Sequence, residues 1–188
     1  MNYMRLLLGL VSSYASAATI LNVTDLGNLG GSSTQAFGLS STGQAVGAAS
    51  TPFGYSHAFT SSGSGVRDLT IGATASEGIA SGVNSSGQIA GTQYIGGQAY
   101  ATVWTSGAAQ SISGAGSYAL AINDGGQVAG ALTFNGQGHA FVTSGNSTQD
   151  LGTLPGADWT AAYAINSGGD VAGYGSVGTG FRALARAI

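Results

Sequence analysis

The chain has 188 residues, of which 34 are Gly, 24 Ser and 2 Pro; 6% are charged, Cys and Lys are absent, and the net charge is −3. A disordered chain would carry more charge and fewer apolar residues than the 43% found here. A nucleic-acid binder would need a dense set of basic residues, and the only ones are Arg5, Arg67, Arg182 and Arg186; the lack of Cys excludes a disulfide scaffold and a Cys-ligated zinc site.

In chain order, residues 1–17 read as a secretory signal peptide. Met1 to Arg5 give a short positive start, Leu6 to Val11 an apolar run, and Ala15-Ser16-Ala17 the small-x-small cleavage pattern. The run breaks at Ser12-Ser13, too short for a membrane span, and no later segment is long and apolar enough for one. Residues 18–188 are expected to form one secreted domain.

That domain repeats itself. Four nine-residue stretches align without gaps: Leu39-Ser-Ser-Thr-Gly-Gln-Ala-Val-Gly47, Val83-Asn-Ser-Ser-Gly-Gln-Ile-Ala-Gly91, Ile122-Asn-Asp-Gly-Gly-Gln-Val-Ala-Gly130 and Ile165-Asn-Ser-Gly-Gly-Asp-Val-Ala-Gly173. Their central glycines Gly43, Gly87, Gly126 and Gly169 are 44, 39 and 43 residues apart. A second motif keeps the same rhythm: His57-Ala-Phe59, Tyr100-Ala-Thr102, His139-Ala-Phe141 and, weakly, Arg182-Ala-Leu184. A third is Asp25-Leu-Gly27, Asp68-Leu-Thr70, Ser111-Ile-Ser113 and Asp150-Leu-Gly152.

Each motif has a local physical reading. In the first, an apolar strand end meets Asn/Ser-x-x-Gly, whose Gly supplies the positive φ of a hairpin turn, and a second strand follows. The His-Ala-Phe segment reads as a third strand and the Asp-Leu-Gly segment as a fourth, with no helical apolar period after the leader. About four short strands in about 42 residues is the size of one β-propeller blade. The expected fold is therefore all-β: a four-bladed β-propeller, the smallest of its kind, with a β-solenoid as the alternative. The chain begins with the third motif and ends with the second, so residues near Thr19–Gly27 are expected to pair with residues near Phe181–Ile188. That pairing would close the ring and remove sheet edges.

The order His-Ala-Phe, Asp-Leu-Gly-x-Leu-Gly/Pro-Gly, Ala-x-x-Ile-Asn-x-x-Gly-Gln-Val-x-Gly resembles the extracellular HAF repeat family of bacteria. His139-Ala-Phe141, Asp150-Leu-Gly-Thr-Leu-Pro-Gly156 and Ala162 to Gly173 carry the resemblance best, and Asp25-Leu-Gly-Asn-Leu-Gly-Gly31 carries it again at the front. The resemblance implies a secreted or surface repeat protein, often of organisms that use the PEP-CTERM sorting system. It implies no catalytic activity and assigns no functional residue. The ending Arg186-Ala-Ile188 has no sorting motif, which gives the expectation of no covalent or membrane anchor.

Residues capable of chemistry are few. His57 and His139 stand at equivalent positions, which favours a structural role over a catalytic one, and Tyr100 and Arg182 replace them elsewhere, so a four-histidine metal site is impossible. Asp25, Asp68 and Asp150 also recur with the motif; only Glu77 and Asp158 break the pattern, in loops between the third motif and the first. No catalytic residue, metal site or cofactor is expected. Aromatic side chains leave one alternative, stacking on sugar rings, with Trp159 in the Pro155–Trp159 loop, Trp104 and Tyr174 as candidates. The expected role is structural or interactive, at the cell surface or in the extracellular matrix. A carbohydrate-binding propeller is the alternative and a secreted hydrolase or lyase the second. Partners would be a glycan or a surface or matrix component, or a second copy of the chain, given the small ring and low net charge.

Overall fold

The computed structural model describes residues 23–63, 65–70, 75–144 and 147–186. The leader read at residues 1–17 and the part of the closing segment at residues 19–22 lie outside the described residues, as does the end of its expected partner at residues 187–188. The described chain is all-β, with no helix, and therefore no helix long and apolar enough to cross a membrane.

Strands β1 (Thr34–Leu39), β2 (Ala45–Ser50), β3 (Ser56–Ser62) and β4 (Gly65–Asp68) form one antiparallel sheet in chain order. Strands β5 (Glu77–Val83), β6 (Ile89–Ile95), β7 (Gln98–Thr105) and β8 (Ala108–Ala115) form a second. The third sheet has seven strands: β9 (Ser117–Ile122), β10 (Val128–Phe134), β11 (Gln137–Ser144), β12 (Ser147–Gly152), β13 (Ala157–Ile165), β14 (Val171–Val177) and β15 (Gly180–Arg186). Its halves, β9 to β12 and β13 to β15, are joined by one parallel bridge between Gly138 and Trp159. The chain thus runs through successive antiparallel groups of four, four, four and three strands.

Groups stack face on face through small side chains. Val46, Ala58 and Leu69 of the first meet Ala80, Ile89 and Trp104 of the second. Ala90 and Ala101 then meet Ala119, Val128 and Phe141, and Ala129, Ala140 and Val142 meet Ala162 and Val171. The leading strand of each group carries a bulge against its neighbour, at Ala36/Gly38, Ala80/Gly82, opposite Ala129/Gly130, and at Ala162/Ala164. The glycine ending each nine-residue stretch lies opposite that bulge. A β-carbon on Gly47, Gly91, Gly130 or Gly173 would collide with the carbonyl oxygen of Gln35, Ile79, Tyr118 or Ala161 respectively, which is why the sequence holds Gly there.

Among the described residues the stack has two uncovered ends. Ala80, Ala119 and Ala162 on the leading strands of later groups are fully buried, whereas Ala36 at the same motif position is exposed and Leu39 is 71% exposed. At the other end Ala164, Ala172, Ala183 and Ala185 face outward. The expected N-terminal strand is not formed over Asp25–Gly27. Residues 23–33 carry no strand; the Asp25 and Asn28 side chains accept the N–H groups of Gly27 and Gly30 at 2.9 and 2.7 Å, and β15 pairs only with β14 among the described strands.

Candidate functional site

The four Gly-centred turns are built alike. In each, the first residue's N–H donates to the carbonyl four residues on: Ser40 to Gln44 at 2.9 Å, Asn84 to Gln88, Asn123 to Gln127 and Asn166 to Asp170, all at 3.0 Å. Gly43, Gly87, Gly126 and Gly169 hold φ of 85, 79, 78 and 96°, the left-handed region the turn requires. The Asn Oδ1 accepts the N–H of Gln88, Gln127 or Asp170 at 2.9 Å, and Ser40 Oγ accepts that of Gln44 at 3.0 Å.

The Asn amide also reaches forward to the next turn. Asn84 Nδ2 donates to the Asn123 carbonyl at 3.2 Å, and Asn123 Nδ2 to the Asn166 carbonyl at 2.9 Å. Beside this ladder, Asp124 Oδ1 accepts the Ser85 N–H at 2.8 Å. Hydrogen bonds from the Ser85 backbone, then its side chain, hold the Asp124 carboxyl below its ordinary value. Gln44, Gln88 and Gln127 each lie against the following turn's glycine: Gly87, Gly126 and Gly169. Sequence reading found the turn but missed this ladder, whose only signal was that Asn, rather than Asp or Ser, fills three of four turns.

The two histidines pin adjacent strands. His57 Nδ1 lies 2.7 Å from Asp68 Oδ2, while Asp68 Oδ1 accepts the Thr70 N–H at 2.7 Å. His139 Nδ1 lies 2.9 Å from Asp150 Oδ2, and Asp150 Oδ1 accepts the Gly152 N–H at 2.7 Å. The second and third motifs are thus two halves of one contact between a third strand and a fourth. Among the described residues no group of three or more His, Asp or Glu side chains is placed to hold a metal ion.

The aromatic candidates separate. Trp104 on β7 is 0% exposed and packs against the preceding sheet, so it offers no face to a ligand in this structure; the sequence expectation is corrected here, because β7 aims the indole at the neighbouring sheet. Trp159 is not in a loop either: it lies within β13, half-buried, with its Cβ against Gly138. Glu77 and Asp158, also expected in loops, lie at the starts of β5 and β13 in different sheets.

Tyr174 on β14 is 40% exposed and sits at the centre of an aromatic group. It stacks on Tyr163 (centroids 4.8 Å apart, planes 6° apart) and meets Trp159 and Phe181 edge-on at 5.4 and 5.7 Å. Tyr163 and Phe181 are exposed as well. Burial, then a hydrogen bond with Tyr174, pushes the Tyr163 phenol up to about 12. Sequence reading named Tyr174 and Trp159 but could not place Phe181 beside them. Tyr163, Tyr174 and Phe181 thus form an exposed aromatic group on the last group of strands. Compared with known protein families, with curated proteins and with solved structures, the chain matches none.

Proposed function

We propose that this chain is a secreted bacterial protein with a structural or interaction role at the cell surface or in the extracellular matrix, and that its strand groups are propeller-type blades of the HAF repeat kind. The observation that carries the interaction role is the exposed face of the last strand group, where Tyr163, Tyr174 and Phe181 stand near the exposed Ala164, Ala172, Ala183 and Ala185. An exposed apolar face of this kind is a contact surface. The polar side chains most capable of chemistry are instead engaged in structure: His57 and His139 with Asp68 and Asp150, and the Asn residues in the turn ladder. The leader at residues 1–17 supports secretion.

The same aromatic group favours a second reading, a carbohydrate-binding propeller, because exposed tyrosines offer flat faces to sugar rings. A glycan array separates the two. The full protein is expected to leave the array blank, and retention that is lost in Tyr174→Ala would put the lectin reading in place of the first. Fractionation of expressing cells tests secretion: the protein is expected in the medium or at the surface, and retention in the cytoplasm would overturn that part.

A further inference from the structure

We infer that the outer face of the last strand group docks on the first strand group of a second copy of this chain, so that copies stack head to tail through the contact that already joins successive groups within one chain. The inference rests on the reading of that face as a contact surface and names its partner. The contact recurs three times. One side of it is made by Val46 and Ala58, then Ala90 and Ala101, then Ala129 and Ala140. The following group supplies the other side as Ala80 and Ile89, then Ala119 and Val128, then Ala162 and Val171. Among the described residues no such cluster joins the fourth group to the first.

Each end of the stack carries one half of this contact in the same register. Ala172 stands opposite Ala185 and Ala183 opposite Tyr174, as Ala129 stands opposite Val142 and Ala140 opposite Ala131. Ala129, Ala140 and Val142 are fully buried, whereas Ala172, Ala183 and Ala185 are exposed. At the other end Ala36, exposed, takes the place of Ala80, Ala119 and Ala162, each of them opposite the glycine that ends the nine-residue stretch. Leu39 takes the place of Val83, Ile122 and Ile165, which pack on the core shared with the preceding group. With no preceding group, Leu39 is 71% exposed. Two exposed faces that repeat the two sides of a buried contact fit each other, and a contact between unlike faces assembles head to tail.

The details of the junction match as well. A β-carbon on Gly82 would stand 3.5 Å from Ile122 of the following group. The counterpart of Gly82 in the last group is Ala164, which lines an open groove of about 480 Å³ with Ala172 and Ala185. The counterpart of Ile122 in the first group is Leu39, so a second copy sets Leu39 in that groove. The Asn ladder continues across the same junction. The Asn123 and Asn166 carbonyls accept the preceding Asn amide beside the N–H of Gly126 or Gly169. The Ser40 carbonyl likewise accepts the Gly43 N–H, at 3.0 Å. Asn166 Nδ2 donates to Asp170 Oδ2 at 2.9 Å and has a second N–H to give. Leu26 does not block the junction: it lines a groove with Gly43 and Ser61, as Ile112 of an outer strand does with Gly126 and Thr143, and leaves Ala36 and Leu39 open.

Cys is absent, so the contact can be trapped. Leu39→Cys and Ala164→Cys are prepared as separate full chains, mixed and oxidised, with Gly82→Cys/Ile122→Cys in one chain as the internal control. The mixture is expected to give a disulfide-linked dimer in which peptide mass joins position 39 of one copy to position 164 of another. Ala164→Cys linking to itself faster than to Leu39→Cys would show a face-to-face dimer, and a link within the monomer of Leu39→Cys/Ala164→Cys would show a chain closed on itself; either overturns the inference. Sedimentation velocity of the unsubstituted chain over a concentration series is expected to show reversible association. Ala183→Asp sets an unpaired charge in the contact at a position exposed in the monomer, and is expected to weaken association about tenfold or more; an unchanged affinity would place the contact elsewhere and overturn the inference too. A chain that is monomeric at every concentration also overturns it. If retention of such a monomer at the cell surface is still lost in Ala183→Asp, the contact-surface reading stands with another partner, and if retention is unchanged both fall.

Discussion

Replacing Asn123 with Ala deletes three hydrogen bonds together: the Oδ1 cap on the Gln127 N–H at 2.9 Å, the Nδ2 bond to Gln127 Oε1 at 2.8 Å and the bridge to the Asn166 carbonyl at 2.9 Å. The side chain is buried, so water does not freely replace these partners. At about 1 kcal/mol net per bond, with the bonds partly redundant around one turn, the loss is about 2–3 kcal/mol. For a chain of this length that lowers Tm by roughly 5–10 °C. Asn166→Ala is the internal comparison. Asn166 is exposed and caps its own turn, but its amide goes to Asp170 Oδ2 at 2.9 Å rather than forward to another group, so the expected loss is about 1 kcal/mol. Asn123→Asp keeps the acceptor and turns the donor into a second acceptor facing the Asn166 carbonyl, so it is expected to be no more stable than the Ala variant near neutral pH. Urea unfolding of the full chain, followed by circular dichroism, measures all three. The ladder is refuted as a stabilising element if Asn123→Ala falls within about 0.5 kcal/mol of the parent, or if Asn166→Ala costs as much as Asn123→Ala.

Two further outcomes follow from the packing and the aromatic face. Trp104→Ala empties the largest fully buried side chain and is expected to cost about 3–5 kcal/mol; Trp104→Phe should recover most of that loss, because the indole Nε1 has no hydrogen-bond partner to lose. Equal unfolding midpoints for the two variants would refute that reading of the site. Tyr163 is expected to titrate last in a 295 nm absorbance titration, at about 12, and Tyr163→Phe to remove that step. Because folding raises this pKa, the phenol's contribution to stability is present below about pH 10 and is lost as pH rises toward 12. A late titration step that persists in Tyr163→Phe would show that another phenol is responsible.

What the sequence determined by itself is local. Asn/Ser-x-x-Gly forces a tight turn because Gly alone takes the positive φ cheaply, so the turns at Gly43, Gly87, Gly126 and Gly169 and the strands on either side were legible in one dimension. The structural placement of His57 and His139 was legible from recurrence, though their partners were not: Asp68 and Asp150 lie 11 residues on and meet them only across a strand pair. The Asn ladder joins residues 39 and 43 positions apart, and no local preference reports such a bond.

Exposure was decided by tertiary structure alone. Trp104 and Tyr174 looked alike as aromatic residues on short strands, yet one faces a neighbouring sheet and is sealed, while the other stands on the uncovered end of the stack. Ala36 and Ala80 hold the same motif position on equivalent strands, and only Ala80 is buried. Alternation along a strand fixes which side chains share a face, but a face becomes core only when another sheet covers it.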